Sequence, residues 1–383
     1  MTAMSEQTTL FGLLKRYNPD TFPVIPSNPE EFDEIPQDGN IRPDDVARSE
    51  LGEYATRLRD EITNVLDRAG PPIARSSSPL IYFLDGCRRA YYLCDMATPS
   101  GSMVPILAGQ ISSAVLERSR ETGRVSLRRH ENRGLLLLPV GGAGINQEDA
   151  SAIKEVVDRS FPRQKLNVMF IKLRHEEEPR NDALARLNTE MQSLEVSFLE
   201  EMANEGTIQQ RSMIVVDGAL QFQRVRDERR ACLRYAIGIS KRFNLHLKGM
   251  VGRTHEIGAH LIKLRHVGDR TSAFLLKEQH SGTRYAFWYL RIQPMERMPF
   301  PFAGIVKVEK VLVDQRERED GLSRDVVDNI SRFVLLERTV SPYGVDFRWA
   351  SHIYPIYLTE QLQRRKFVSD HFYRTLLKRK VQL

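Results

Sequence analysis

The sequence predicts an α/β fold in which a mixed β-sheet is flanked by helices. Short β-rich runs alternate with amphipathic helical patterns along most of the chain. Some of these runs are separated only by turn residues, as in antiparallel meanders, and others by a helix, as in parallel crossover connections. With 383 residues, of which 41% are hydrophobic, the chain can bury the core of one large domain or two ordinary ones.

The N-terminal part is predicted to be an extension of the main domain. Residues 17–45 are rich in Pro, Asp, Glu and Asn and show no sustained period, which indicates an extended or loosely held segment. Residues 46–69 carry apolar side chains three to four positions apart, which predicts an amphipathic helix that ends before the Gly-Pro-Pro sequence at 70–72. We therefore expect an N-terminal extension over 1–78, with the core starting later, and a main domain over 79–383.

The main domain is predicted to begin with an antiparallel meander of three short strands at 80–86, 90–96 and 102–109, each bounded by turn residues. An amphipathic stretch near 110–120 and an apolar run at 134–144 follow. The further predicted strands are 166–173, 213–218, 235–240, 273–277, 284–292 and 304–313. The predicted helices are 148–160, 181–204, 222–231, 320–333 and 355–380.

Composition excludes several classes of protein. No apolar run approaches the roughly 18–20 residues that cross a bilayer, so we expect no membrane association. The N-terminus lacks a basic region followed by an apolar stretch and a cleavage site, so we expect no secretion. Three cysteines, Cys87, Cys94 and Cys232, exclude a disulfide framework and a four-cysteine zinc site. These features predict a cytoplasmic protein.

The charge of the chain is unevenly distributed. Residues 1–46 carry three basic and nine acidic side chains, whereas the other 337 residues carry a net charge of +12. The last 23 residues hold seven basic side chains, among them Arg364, Arg365 and Lys366, against the single acid Asp370. Such a surface is typical of a polyanion binder, but basic solvated helices also occur in proteins that bind no nucleic acid.

The most informative motif is an Asp-Gly pair that follows an apolar run at two places. LIYFLDG places Asp85 and MIVVDG places Asp217 where a buried strand is expected to leave the sheet. A carboxylate at such a point has a rigid support, and the following glycine allows close approach of backbone or ligand. Hard cations such as Mg²⁺ and Mn²⁺ bind converging carboxylates. The alternative is that each pair simply begins a turn.

A third carboxylate is predicted on the helix that precedes the second motif. At 100° per residue, Glu195 lies about 40° from Met191, inside the apolar arc of this helix, whereas Glu200 lies about 180° away. A carboxylate that points toward the sheet needs a partner or a metal, since an unpaired buried charge costs several kcal/mol. The alternative is a Glu195 at the edge of the stripe that reaches solvent or an arginine.

These motifs, in this order, resemble those of the NurA nucleases, the partners of HerA-type hexameric DNA translocases. The resemblance covers about residues 79–365. The similar segments are LIYFLDGC (80–87), LEVSFLEEM (194–202), MIVVDGAL (213–220), IGISKRF (237–243), YAFWYLRI (285–292), GIVKVEKV (304–311) and IYPIYLTEQL (353–362). Two departures are Cys87, where the family has Ser, and Glu360, where an Asp or His is frequent.

The resemblance implies an RNase H-like core, nuclease action on DNA with Mn²⁺ or Mg²⁺, a homodimer and docking onto a HerA-like ATPase in DNA end processing or defence. It implies that Asp85, Glu195 and Asp217 are metal ligands, that Lys241 faces the scissile phosphate and that Tyr354 supports the site. We expect Arg364, Arg365 and Lys366 to contact DNA.

Two other functions stay open. A non-catalytic DNA-binding or scaffold subunit would keep the fold and recruit an ATPase. A guide-dependent Piwi-like protein would share the core, but the sequence shows no separate pocket for the end of a guide.

Overall fold

The computed structural model describes residues 7–24, 46–51, 53–54, 62–67, 74–97, 101, 103–141, 145–162, 166–172, 179–220, 231–247, 255–277, 283–340 and 347–382. Within these ranges the chain has a mixed α/β architecture, with one large mixed sheet flanked by helices on both faces. This confirms the predicted fold class at that level.

The strands of the described residues are β1 (Gln7–Thr9), β2 (Thr21–Pro23), β3 (Val46–Leu51), β4 (Glu53–Tyr54), β5 (Ile62–Asn64), β6 (Leu80–Ala97), β7 (Met103–Arg118), β8 (Val125–Val140), β9 (Leu166–Lys172), β10 (Met213–Asp217), β11 (Ala236–Ser240), β12 (Asp269–Thr271), β13 (Phe274–Lys277), β14 (Arg284–Arg291), β15 (Ile305–Val311), β16 (Leu322–Ser323) and β17 (Lys380–Gln382). The helices are α1 (Leu10–Tyr17), α2 (Gln147–Ser160), α3 (Pro179–Asn204), α4 (Ile257–Leu261), α5 (Gln315–Asp320), α6 (Arg324–Glu337), α7 (Tyr354–Lys366) and α8 (Asp370–Arg374).

The main path of the large sheet has the strand order β3-β13-β14-β15-β11-β10-β6-β7-β8-β9. Strand β10 is parallel to both of its neighbours, β11 and β6, and β9 is parallel to β8. The other neighbours along this path are antiparallel. The centre of the sheet is therefore a parallel β6-β10-β11 group, and two predicted motifs, LIYFLDG and MIVVDG, lie side by side in it.

Alternating side chains of the central strands pack against different helices. Leu84 of β6 and Val216 of β10 belong to the apolar cluster that includes Phe198 of α3. Phe83 and Val215, each one residue earlier, belong to a second cluster that includes α6 and Ile356 of α7. Because side chains alternate between the two faces of a strand, α3 covers one face of the central sheet, and α6 and α7 cover the other.

The predicted N-terminal helix over 46–69 is wrong where the structure describes this segment. The chain forms strands β3, β4 and β5 there, which pair with β13, β16 and β12. Apolar residues three to four apart also suit short strands separated by turns, and pairing with the rest of the sheet outweighs the weak local preference for helix.

The expectation that the core starts after the leader is also wrong. Leu10, Leu13 and Leu14 of α1 are buried in the apolar cluster of α2 and α8. In addition, β1 pairs with β17 at the other end of the chain, and β2 pairs with β6. Residues 25–45 of the predicted leader and residues 222–230 of the predicted helix over 222–231 lie outside the described residues.

Two predicted strands of the meander, 80–86 and 90–96, are one strand of 18 residues, β6. The pair Asp85-Gly86 therefore does not end a strand. It lies within β6, where Gly86 still pairs with Ser113 of β7. The neighbouring strand β10 ends beside Asp85, whereas β6 continues. From this point on, β6 no longer has β10 as its neighbour on that side.

The predicted helix over 355–380 is interrupted. Helix α7 ends at Lys366 because the next residues are extended, and the buried Gln110 holds Val368 through both amide atoms, at 2.9 Å and 2.8 Å. Ser369 then caps the N-terminus of α8. Among the helices that the structure describes, none combines the length and apolar composition needed to cross a lipid bilayer.

Candidate active site

Asp85 and Asp217 lie next to each other on the parallel strands β6 and β10. Leu84 pairs with Val216, so the following residues of the two strands are neighbours about 4.8 Å apart along the hydrogen-bonding direction. Asp85 is buried, whereas 23% of the Asp217 side chain is exposed. By alternation, both side chains belong to the face of the sheet that α7 covers.

The chain turns away from the sheet directly after Asp217. Gly218 has φ +103°, a value that residues with a side chain rarely adopt, and its N–H donates to the carbonyl oxygen of Ile239 at 2.8 Å. The glycine predicted to follow the second strand is thus required by backbone conformation.

Lys241 follows the end of β11 and contacts this acidic pair. Its Nζ lies 2.9 Å from Asp217 Oδ2, and both side chains are about one-fifth exposed. Burial alone would lower the pKa of Lys241, but the negative charges of Asp217, Asp85 and Glu360 outweigh it and raise that pKa above its ordinary value. Lys241 is therefore a fixed positive charge beside the carboxylates.

Glu195 belongs to α3, on the opposite face of the sheet from α7, and approaches Gly86, the residue after Asp85. The buried carboxylate of Glu195 accepts the backbone N–H of Gly86. A Cβ on Gly86 would lie 2.7 Å from Glu195 Oε1 and 2.9 Å from Met191 Cγ, so only glycine leaves room for this carboxylate. The prediction that Glu195 points into the core is confirmed. The groups that approach Gly86 closely are side chains, not the backbone or ligand that the sequence predicts.

Burial and mutual repulsion raise the pKa values of two of these acids. Burial raises the pKa of Glu195 to about 8, with a further contribution from the charge of Asp217, while the Gly86 N–H lowers it. Burial also raises the pKa of Asp85 well above its ordinary value, and the charges of Asp217, Glu360 and Glu195 add to this effect against the opposing charge of Lys241. The carboxyl groups are thus close enough to resist joint ionisation.

Helix α7 completes the cluster with two side chains. Gln363 is buried and donates from Nε2 to the backbone oxygen of Asp85 at 3.1 Å. Glu360, three residues earlier, adds negative charge toward Asp85 and is paired with Arg364 at 2.8 Å. Glu360 is not among the predicted site residues, although its spacing from Gln363 places two polar side chains on one side of α7.

The cluster suits a divalent cation by charge and by donor type. When ionised, Asp85, Glu195, Asp217 and Glu360 carry two more negative charges than Lys241 and Arg364 neutralise. All four acids offer oxygen, the donor that Mg²⁺ and Mn²⁺ prefer. Within the described residues, however, no three His, Cys, Asp or Glu side chains have the spacing of a ready metal site. In this conformation the ammonium group of Lys241 is the cation that contacts Asp217.

Tyr354 lies at the opposite end of α7 from Gln363. It is the first residue of α7, nine residues before Gln363, which corresponds to about 13 Å along the helix axis. Its side chain is 38% exposed, and it is not among the charges and hydrogen bonds that shift the pKa values of Asp85, Glu195 or Lys241.

The predicted DNA-contacting residues lie in the last turn of α7. Arg364 is half-buried and pairs with Glu360, whereas Arg365 and Lys366 are exposed. The backbone oxygen of Lys366 accepts a hydrogen bond from Asn132 of β8 at 3.2 Å, which fixes the basic end of α7 against the sheet. Arg364 thus belongs to the acidic cluster, and the other two form a basic surface at its border.

Compared with models of known protein families and with curated protein sequences, the chain matches none.

Proposed function

We propose that this protein is a divalent-metal-dependent deoxyribonuclease. The observation that carries the proposal is that Asp85 and Asp217 directly follow a residue pair of two adjacent parallel strands, with Glu195 at Gly86 and Lys241 on Asp217. An oxygen-only cluster with excess negative charge, bordered by basic side chains, has the chemistry required for binding a metal and a phosphodiester.

Asp85 and Asp217 would hold Mn²⁺ or Mg²⁺, with Glu195 as the third ligand. When bound, the metal would activate water and neutralise charge that develops on the phosphodiester. Lys241 would supply a second positive charge to the phosphate, since its Nζ is already held at the acidic cluster. Gln363 fixes the backbone at Asp85, and Glu360 keeps the charge of Arg364 beside the cluster.

The finer features of the proposal rest on the resemblance to NurA nucleases. They are an RNase H-like core, a homodimer, docking onto a HerA-like hexameric ATPase, a cytoplasmic location, and a role in DNA end processing or defence against foreign DNA. DNA would approach along the exposed basic surface of Arg365 and Lys366. The proposed supporting role of Tyr354 rests on the resemblance alone.

A non-catalytic DNA-binding or scaffold subunit is the second candidate function. One observation favours it: the Lys241–Asp217 ion pair occupies a carboxylate that the metal would need. A scaffold would keep this pair and the fold without cleaving DNA.

Cleavage of end-labelled single- and double-stranded DNA by the full chain, with Mn²⁺, Mg²⁺ or EDTA, tests the proposal. We expect cleavage with a divalent metal and none in EDTA. D217N should abolish cleavage but retain DNA binding, whereas D320N, which changes an exposed aspartate at the end of α5, should leave both unchanged. Absence of cleavage by the wild type in either metal, with and without a HerA-like ATPase, would favour the scaffold.

A further inference from the structure

A buried ion pair lies on β15, separated from β6 by β11 and β10 and directly behind the turn that follows Asp217. Lys307 Nζ is 2.5 Å from Glu309 Oε1, and neither side chain is exposed to solvent. Lys307 also lies over the ring of Phe287 at 4.9 Å from the ring centre. Removing two charges from water costs several kcal/mol per ion unless their environment compensates. A contribution to stability alone therefore does not explain why these two charges are buried together.

The second carboxylate oxygen of Glu309 indicates another role for the pair. Glu309 Oε2 accepts the backbone N–H of Leu220 at 2.9 Å, and Leu220 is fully buried. Leu220 is the third residue after Asp217, so this hydrogen bond holds the far end of the turn that begins at the candidate metal ligand.

Glu309 can contact the turn because the neighbouring strand β11 has a glycine between them. Its partner in β11 is Gly238, which has no side chain to separate Glu309 from the turn. A Cβ on Gly238 would lie 2.8 Å from the carbonyl oxygen of Gly218 and 2.8 Å from Leu220 Cγ. The turn after Asp217 therefore passes closely over Gly238, and Glu309 is the acceptor that fixes it there.

We propose that Glu309 is a positioning residue that holds the Asp217–Leu220 turn, and through it the Asp217 carboxylate, in place for metal binding. Its importance for metal binding rests on the proposed function. Lys307 neutralises Glu309, since no hydrogen bond from another described residue reaches either Lys307 Nζ or Glu309 Oε1. A neutral acceptor of the same shape should then serve as well, provided that Lys307 is also made neutral.

Two double variants isolate the acceptor. K307M/E309Q removes both charges and keeps an oxygen that can accept the Leu220 N–H, whereas K307M/E309L removes both charges and the acceptor. Hydrogen–deuterium exchange of the peptide that covers 217–220, measured on the full chain without metal or DNA, should be at least tenfold faster in K307M/E309L than in K307M/E309Q. The Mn²⁺ affinity, measured by calorimetry, should fall roughly tenfold or more only in K307M/E309L.

A buried ion pair elsewhere provides the control. Arg270 and Asp328, 2.6 Å apart on β12 and α6, are also almost fully buried, and R270M/D328L should leave exchange at 217–220 unchanged. Equal exchange in the two folded Lys307 variants would overturn the positioning role. If K307M/E309L does not fold, G238A replaces it, because its Cβ would push the turn outward, and unchanged exchange in G238A would likewise overturn the role.

The exchange result does not depend on nuclease activity. If the wild type cleaves no DNA but exchange differs as expected, the proposed function fails and the positioning of the turn stands. If the wild type cleaves DNA and exchange is equal in the two variants, only the positioning role fails.

Discussion

Replacement of Glu195 by glutamine should stabilise the protein at neutral and alkaline pH when no metal is present. The carboxyl group of Glu195 is buried between α3 and Gly86, and its pKa is raised from 4.5 to about 8. Because the folded chain binds this proton more tightly than the unfolded chain, the stability that it contributes is fully present below about pH 4.5. That contribution is lost as the pH rises toward 8. Glutamine keeps the acceptor for the Gly86 N–H and has no proton to lose.

The structure gives the size of this effect. Each tenfold change in proton affinity corresponds to about 1.4 kcal/mol, so the rise of this pKa from 4.5 to about 8 corresponds to roughly 5 kcal/mol of unfolding free energy, most of which is lost by pH 8. In E195Q this loss should disappear. A smaller decline of the unfolding free energy should remain in E195Q, because Asp85 also has a raised pKa and also loses its proton as the pH rises.

Urea unfolding in EDTA, from pH 5 to pH 9, measures this difference. We expect the free energy of unfolding of the wild type to fall with pH and that of E195Q to fall much less, so that E195Q is the more stable protein at pH 8. E200Q makes the same chemical change on the same helix at a half-buried position and should follow the wild type. Parallel curves for wild type and E195Q would refute the buried, proton-binding environment assigned to Glu195.

Two further predictions concern Gly86 and the basic end of α7. G86A should destabilise the protein by about 1–3 kcal/mol in urea unfolding, because its Cβ would clash with Glu195 Oε1. In an E195A background, which removes that carboxylate, the same change should destabilise the protein less. If the destabilisation by G86A is the same in both backgrounds, the contact is contradicted. R365Q/K366Q should reduce the slope of log K against log[salt] for DNA binding by roughly 0.7–0.9 for each phosphate that is no longer neutralised, whereas R297Q, an exposed arginine on the β14–β15 connection, should not. An unchanged slope would assign Arg365 and Lys366 to a solvated surface.

The apolar strands and long helices of the central sheet are predictable from the sequence, because their hydrophobic patterns are strong and local. Helix α2 at Gln147–Ser160 and strand β10 at Met213–Asp217 are examples. The prediction for 46–69 is wrong because β3, β4 and β5 are determined by their pairing with distant strands. The spacing of apolar residues within the segment contains no information about those partners. The burial of Leu10, Leu13 and Leu14 escapes prediction for a similar reason, since α1 is buried by residues from the far end of the chain.

The acids of the site are predictable to different degrees. The helical wheel identifies Glu195 because burial of a carboxylate within an apolar stripe is visible in one helix. The sequence predicts close approach at Gly86, but its partner cannot be named before the crossing of α3 over β6 is known. Glu309 gives no signal of function in the sequence, because its contact with Leu220 depends on a glycine in the strand between them.

Anomalous diffraction from crystals of the full chain soaked in Mn²⁺ tests the central claim most directly, which is that Asp85 and Asp217 together bind a divalent metal. The proposed function predicts an anomalous peak with carboxylate oxygens of both residues about 2.0–2.6 Å from it, and no peak there in D217N crystals. Lys241 Nζ should then no longer contact Asp217 Oδ2. Wild-type crystals that show no peak at these carboxylates at saturating Mn²⁺, with the Lys241–Asp217 pair intact, would contradict the claim.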